Sequence, residues 1–144
     1  AEIIKEFQDT EVVFPVHLNP KVRQKADEIL KGLDRVHLFE PFSYTEFIWM
    51  MKKSYLILSD SGGVQEEAPH LDKPVLVLRD TTERPEGIES GTSMLVGTDR
   101  DVIVKEARKL LEDEASYEAV QNKENPYGDG FASKKIFEAL KGNV

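Results

Sequence analysis

No cysteine occurs anywhere in the 144 residues. That excludes disulfides and thiolate metal sites, and it fits a reducing, cytoplasmic setting. Long apolar runs are also missing, as is any basic-then-apolar leader pattern at the start, so neither a membrane helix nor a signal peptide is expected. Positive charge is scarce: 19 Lys and Arg against 27 Asp and Glu leave a formal net charge of -8. Without any block of Lys or Arg, such a surface does not suit non-specific binding to a nucleic-acid backbone. Three scattered histidines with no paired ligand spacing give a metal site no support. A small anionic ligand is still open to this chain, provided a local pocket supplies donors against the global field.

What is present suits one globular domain with a real core: 40% apolar and 32% charged residues over a length too short for two ordinary domains. Short apolar runs alternate with helical patterns from end to end. Strands are expected at 11–17, 35–40, 55–60, 74–80 and 92–98. The unbroken runs Tyr55-Leu56-Ile57-Leu58 and Val75-Leu76-Val77-Leu78 suit strands buried on both faces, as in a parallel sheet covered by helices. Between them, Asn19-Pro20 opens a helix with the stripe Val22, Ala26, Ile29 and Leu30, ended by Gly32. Ser43 and Glu46 form a capping box ahead of Tyr44, Phe47, Ile48 and Met51. Ser61 opens a third helix that Pro69 must kink or shorten. A fourth starts near Asp99 with Ile103, Ala107, Leu110 and Leu111 inward, and a last amphipathic one runs over 131–140 after the turn-rich segment 122–130. Ala1-Glu2-Ile3-Ile4 reads as helix interior, the pattern expected of a fragment.

Repeated strand-helix-strand units predict an α/β fold, a Rossmann-like doubly wound parallel sheet whose ligands sit at the carboxyl ends of the strands. At such an end lies Leu58-Ser59-Asp60-Ser61-Gly62-Gly63-Val64-Gln65-Glu66-Glu67. Backbone N–H groups at the start of that helix, with the helix dipole behind them, form a phosphate site that the glycines leave open to close approach. Glu67 is placed to accept bonds from sugar hydroxyls. The same residues also suit an ordinary N-cap at Ser61 and a tight glycine turn, and the local sequence leaves both readings open. Neither a Walker loop nor the G-x-G-x-x-G pattern is present. Arg84, in the polar loop after the next strand, can clamp a pyrophosphate or pair with Glu83 or Glu86. Phe42 and Phe47 follow another strand, where an aromatic can receive a planar base, although Phe47 also fits a core stripe. His17 closes the first strand, where it can bond a phosphate or serve structure alone.

Five stretches in order, PVHLNP (15–20), FEPFSYTEF (39–47), LSDSGGVQEEAP (58–69), PVLVLRDTTERPEG (74–87) and NPYGDGFAS (125–133), resemble the non-hydrolysing UDP-N-acetylglucosamine 2-epimerases. That family has two Rossmann-like domains facing each other in the GT-B arrangement, and residues 1–144 resemble the second, C-terminal, UDP-binding domain. The resemblance implies that Ser61, Gly62 and Gly63 hold the diphosphate and Glu67 the ribose hydroxyls. The backbone around Phe42 and the ring of Phe47 hold the uracil, and Arg84 reaches the diphosphate or sugar. His17 is similar to a histidine near a second, activating UDP-sugar in some bacterial members.

The implied reaction is isomerisation of UDP-N-acetylglucosamine to UDP-N-acetylmannosamine, with no cofactor. UDP is eliminated across C1–C2 to leave a 2-acetamidoglucal, then added back after protonation of the other face. No catalytic residue is assigned within this chain. The family's proton-transfer carboxylates lie mainly in the first domain, and the T-x-H-R-R-E-N motif that opens the second is not found within Ala1-Glu11. The sheet is therefore expected to lack its first strand, a central one in the order 3-2-1-4-5-6. The chain is expected to be inactive alone and to self-associate, as a dimer, through apolar surface on the last helix and at the gap. The alternative is a UDP-sugar binding module without catalysis. A glycosyltransferase shares the architecture, but the RDTTERPE segment speaks against it. A hydrolysing relative stays open from this half.

Overall fold

The computed structural model describes residues 1–142, which form two compact units, one over residues 1–53 and one from residue 54 onward. The first unit runs α1 (Glu2–Glu6), β1 (Val12–Pro15), α2 (Pro20–Leu30), β2 (Val36–Phe39) and α3 (Tyr44–Lys53). The strands pair in parallel, Val12 opposite Val36 through Pro15 opposite Phe39. Parallel neighbours need a crossover, and α2 supplies it.

The boundary residues behave as their chemistry predicts. The Asn19 side chain accepts from the Lys21 amide 3.0 Å away, and Pro20 occupies a position where its missing N–H costs nothing. Glu46 accepts from the Ser43 amide at 2.9 Å, completing one arm of the capping box. The start of the chain is tied down by Arg35, whose guanidinium donates to the carbonyls of Ile4, Phe7 and Thr10. These are orphan acceptors at and beyond the end of α1, where positive charge is favoured. Arg35 itself adopts a positive φ of 62°.

The second unit runs β3 (Ile57–Ser59), α4 (Gly62–Glu67), a 3-10 turn (Ala68–Leu71), β4 (Val75–Val77), α5 (Pro85–Ser90), β5 (Ser93–Leu95), α6 (Arg100–Glu112), α7 (Glu114–Gln121) and α8 (Ala132–Lys141). All three strands are parallel in the order β3-β4-β5. Val75, Leu76 and Val77 of the middle strand are fully buried and form the centre of the core with Val64, Ala68, Ala107 and Leu110. Asp99 caps α6 by accepting from the amides of Asp101 and Val102. As Pro69 predicts, α4 stops at Glu67 and gives way to the tighter turn.

The fold is α/β with parallel strands throughout, as expected, but the strands form two ladders, β1-β2 and β3-β4-β5. One expectation fails at β3. Its apolar run predicts burial on both faces, yet Leu58 is 39% exposed, because β3 pairs on one side only. On α2 only Ala26 of the expected stripe is buried. Val22 and Ile29 are exposed and, with Phe14, line an open groove of about 440 Å³. The amphipathic α8 buries none of its residues and leaves Ile136, Phe137 and Leu140 exposed. Helices α5 and α7 were not anticipated. No helix among the described residues is long and apolar enough to cross a membrane.

Candidate functional site

In the second unit the chain leaves β3 at Ser59 and enters α4 at Gly62, so the turn between them lies at the carboxyl edge of the three-stranded ladder. The turn is open to solvent: Ser61 and Gly63 are exposed and Gly62 is half-buried. The Ser61 amide is satisfied by Ser59 Oγ at 3.1 Å, whereas the amides of Gly62 and Gly63 have no acceptor among the described residues. Those two donors stand at the positive end of the helix.

The bland readings of this turn do not fit it. The Ser61 side chain makes no capping bond, so it is not acting as an ordinary N-cap. Neither Gly62 nor Gly63 has a positive φ. A Cβ on Gly62 would come no closer than 3.9 Å to any neighbour, and one on Gly63 no closer than 3.8 Å, both ordinary contacts. The protein's own conformation therefore does not require glycine at either position.

Arg84 lies beside this turn. Its Nη2 would be the nearest atom to a Cβ on Gly62. Of the sequence alternatives for its partner, neither the Glu83 nor the Glu86 carboxylate takes that role: Nε donates to Glu66 Oε1 on α4, and Nη1 donates to the Glu83 carbonyl at 3.1 Å. The hydrogen bond it donates to Glu66, followed by that carboxylate's charge, holds the guanidinium above its ordinary range. Nη2 has no protein acceptor among the described residues and is left beside Gly62. Two free amides and a fixed guanidinium edge thus meet at one point, a donor set suited to a phosphoryl group. Glu67 closes α4 half-buried, with no ion partner among the described residues.

Several neighbours carry no sequence signal. Gln65 is 1% exposed, and its amide bonds both the turn and the arginine loop: Nε2 donates to the Ser61 carbonyl at 3.2 Å, and Oε1 accepts from Thr82 Oγ1 at 2.6 Å. Tyr127, in the turn-rich segment, accepts from the Gly87 amide at 3.1 Å, and burial pushes its phenol up from the ordinary value. A Cβ at Gly87 would stand 2.7 Å from that phenolic oxygen, so the contact exists only because position 87 is glycine.

The first unit holds the remaining candidates. His17 follows β1 and Phe42 follows β2, and since these strands are parallel neighbours both residues lie past the same edge of their ladder. His17 is exposed, with Nδ1 accepting from the Asn19 amide at 3.1 Å, which leaves Nε2 as its outward nitrogen. Phe42 packs against Phe39 at 5.3 Å between ring centroids, tilted by 45°. It also lines an open groove of about 390 Å³ with Thr45, Glu46, Trp49 and Met50. Phe47 is half-buried on α3, on neither the fully exposed nor the core side of that helix.

Comparison with known proteins shows the family of this chain. The family model described as UDP-N-acetylglucosamine 2-epimerase matches residues 1–141. A UDP-N-acetylglucosamine 2-epimerase of Bacillus subtilis is 56% identical over 138 residues, covering 96% of this chain and 36% of that protein. Among solved structures, the S. aureus MnaA–UDP co-structure superposes with a TM-score of 0.92 at 49% identity, covering 97% of this chain and 38% of that one. The UDP-GlcNAc 2-epimerase of Neisseria meningitidis bound to UDP-GlcNAc gives a TM-score of 0.88 at 50% identity, over 98% of this chain and 39% of that one. The chain thus spans little more than a third of the length of the relatives it matches. It belongs to the UDP-N-acetylglucosamine 2-epimerase family, and it corresponds to the C-terminal, second-domain part of such a GT-B enzyme.

Proposed function

We propose that this chain supplies the UDP-binding half of a non-hydrolysing UDP-N-acetylglucosamine 2-epimerase. In this reading the Gly62 and Gly63 amides and Arg84 hold the diphosphate, with Ser61 at the mouth of the turn. Glu67 takes the ribose hydroxyls, the Phe42 backbone and Phe47 ring take the uracil, and His17 serves a second nucleotide-sugar. The observation that carries it is the uncommitted Nη2 edge of Arg84 beside the two open glycine amides. Solved relatives bound to UDP and to UDP-GlcNAc add support. As the C1–O bond breaks, negative charge gathers on the β-phosphoryl oxygen that leaves C1, and pre-placed donors stabilise it without rearrangement.

Titration of the chain with UDP tests the reading. Arg84→Met is expected to weaken UDP binding by about 10- to 100-fold, the range for losing a charge-assisted contact, and to leave uridine binding unchanged. Equal UDP affinity in the variant would remove the basis of the assignment.

Epimerisation needs a general base and a general acid on opposite faces of the sugar as well. Residues 1–144 contain no T-x-H-R-R-E-N segment. The chain by itself is therefore expected to bind UDP without converting UDP-N-acetylglucosamine. Product analysis by chromatography checks this, and any UDP-N-acetylmannosamine formed by the purified chain overturns it.

A further inference from the structure

We infer that Gln65 is a positioning residue that sets Arg84 against the phosphate turn, an inference that rests on the UDP reading above. Gln65 and Glu66 are neighbours on α4, yet they hold the arginine loop at different points. Glu66 takes the guanidinium at Nε. Gln65 acts on the backbone: Thr82 Oγ1 donates to Gln65 Oε1 at 2.6 Å and accepts from the Arg84 amide at 3.0 Å. The other end of the same side-chain amide donates to the Ser61 carbonyl at 3.2 Å. A single planar group therefore connects the residue that opens the turn to the backbone of the residue that faces it.

Burial makes that connection stiff. Gln65 is 1% exposed, so both ends of its amide must find protein partners, and breaking either leaves a polar atom away from water. Asparagine is one methylene too short to keep both reaches. Glutamate would set a carboxylate oxygen against the Ser61 carbonyl in place of a donor. Glu66 holds only the tip of Arg84, and without Thr82 and Gln65 the backbone of its loop between β4 and α5 would be free to shift. With Gln65 and Thr82 in place, its backbone is fixed relative to the amides of Gly62 and Gly63, and only the outer guanidinium edge remains for ligand. The side chain touches no ligand group itself. Its effect appears as discrimination between one phosphate and two.

The experiment compares UDP and UMP binding by calorimetry in the full chain and in Q65M, T82V, T82S and R84M, with the melting temperature of each. Wild type is expected to prefer UDP, and R84M to lose most of that preference. Q65M and T82V are expected to fall at least about tenfold in the UDP-to-UMP ratio, with UMP affinity held, since misplacing one charged donor is worth about that much. T82S, which keeps the hydroxyl, is expected to retain the wild-type ratio. Combining T82V with R84M is expected to add nothing to R84M. Folded Q65M or T82V with the wild-type ratio overturns the inference while leaving the UDP reading intact, and so does additivity with R84M. Should Q65M fail to fold, T82V decides, because Thr82 is only half-buried. A wild-type chain that takes up no UDP overturns the nucleotide reading itself, and this inference with it.

Discussion

Replacing Gly62 and Gly63 together by alanine is expected to lower UDP affinity by about a hundredfold, equivalent to about 2.7 kcal/mol, while the protein melts no earlier than wild type. The two halves of that result have separate causes. For the fold, neither position has a positive φ, and both new methyls would sit at ordinary contact distance. Alanine in a compatible backbone restricts the unfolded chain and usually stabilises by about 0.4–1 kcal/mol per site. For the ligand, the methyls would occupy the approach to the free amides, so a phosphoryl oxygen could no longer reach hydrogen-bonding distance. A titration alongside thermal unfolding reads both. Loss of stability with intact affinity would mean the glycines serve the turn rather than the ligand.

Leu76→Ala is expected to destabilise the second unit by about 3–4 kcal/mol, the usual cost of emptying a fully enclosed leucine site. Leu76 has no exposed surface and lies in the middle of β4, between Leu58 of β3 and Met94 of β5. Walls contributed by strands on both sides and helices above cannot all relax into the void. Against a typical domain stability of about 5–15 kcal/mol, that leaves a reduced margin. Leu58→Ala is the control: one strand away, with Leu58 39% exposed, it should cost well under half as much. Urea unfolding followed by circular dichroism distinguishes them. Equal midpoints for the two variants would contradict the placement of the core at β4.

Much of this could be read from the residues because local chemistry was decisive where it was read. The Val75-Leu76-Val77 run has no polar interruption, and Asn19-Pro20, Ser43-Glu46 and Asp99 each satisfy amides within three residues of themselves. The missed helices had signals too. Pro85 opens α5 with Gly91 in the left-handed conformation behind it, and Asp113 caps α7 through the Ala115 amide. Both were obscured by the polar residues around them. Exposure of Leu58 was not legible, because its apolar run is the same whether a strand has one neighbour or two. Of the candidate site, the turn and Arg84 were read correctly as neighbours at one sheet edge, and the arginine's carboxylate partner was not. Glu66 and Arg84 are 18 positions apart, and Gln65 and Thr82 are 17 apart, so no spacing rule links them.

The close seating of the Tyr127 phenol over Gly87 has an evolutionary side. Residues 87 and 127 amount to one choice rather than two, since any side chain at the former would collide with the hydroxyl of the latter. A lineage that exchanges the tyrosine for something smaller gains freedom at 87. One that keeps the tyrosine inherits a hydrogen atom there, and with it a segment some forty residues downstream clasped to the start of α5.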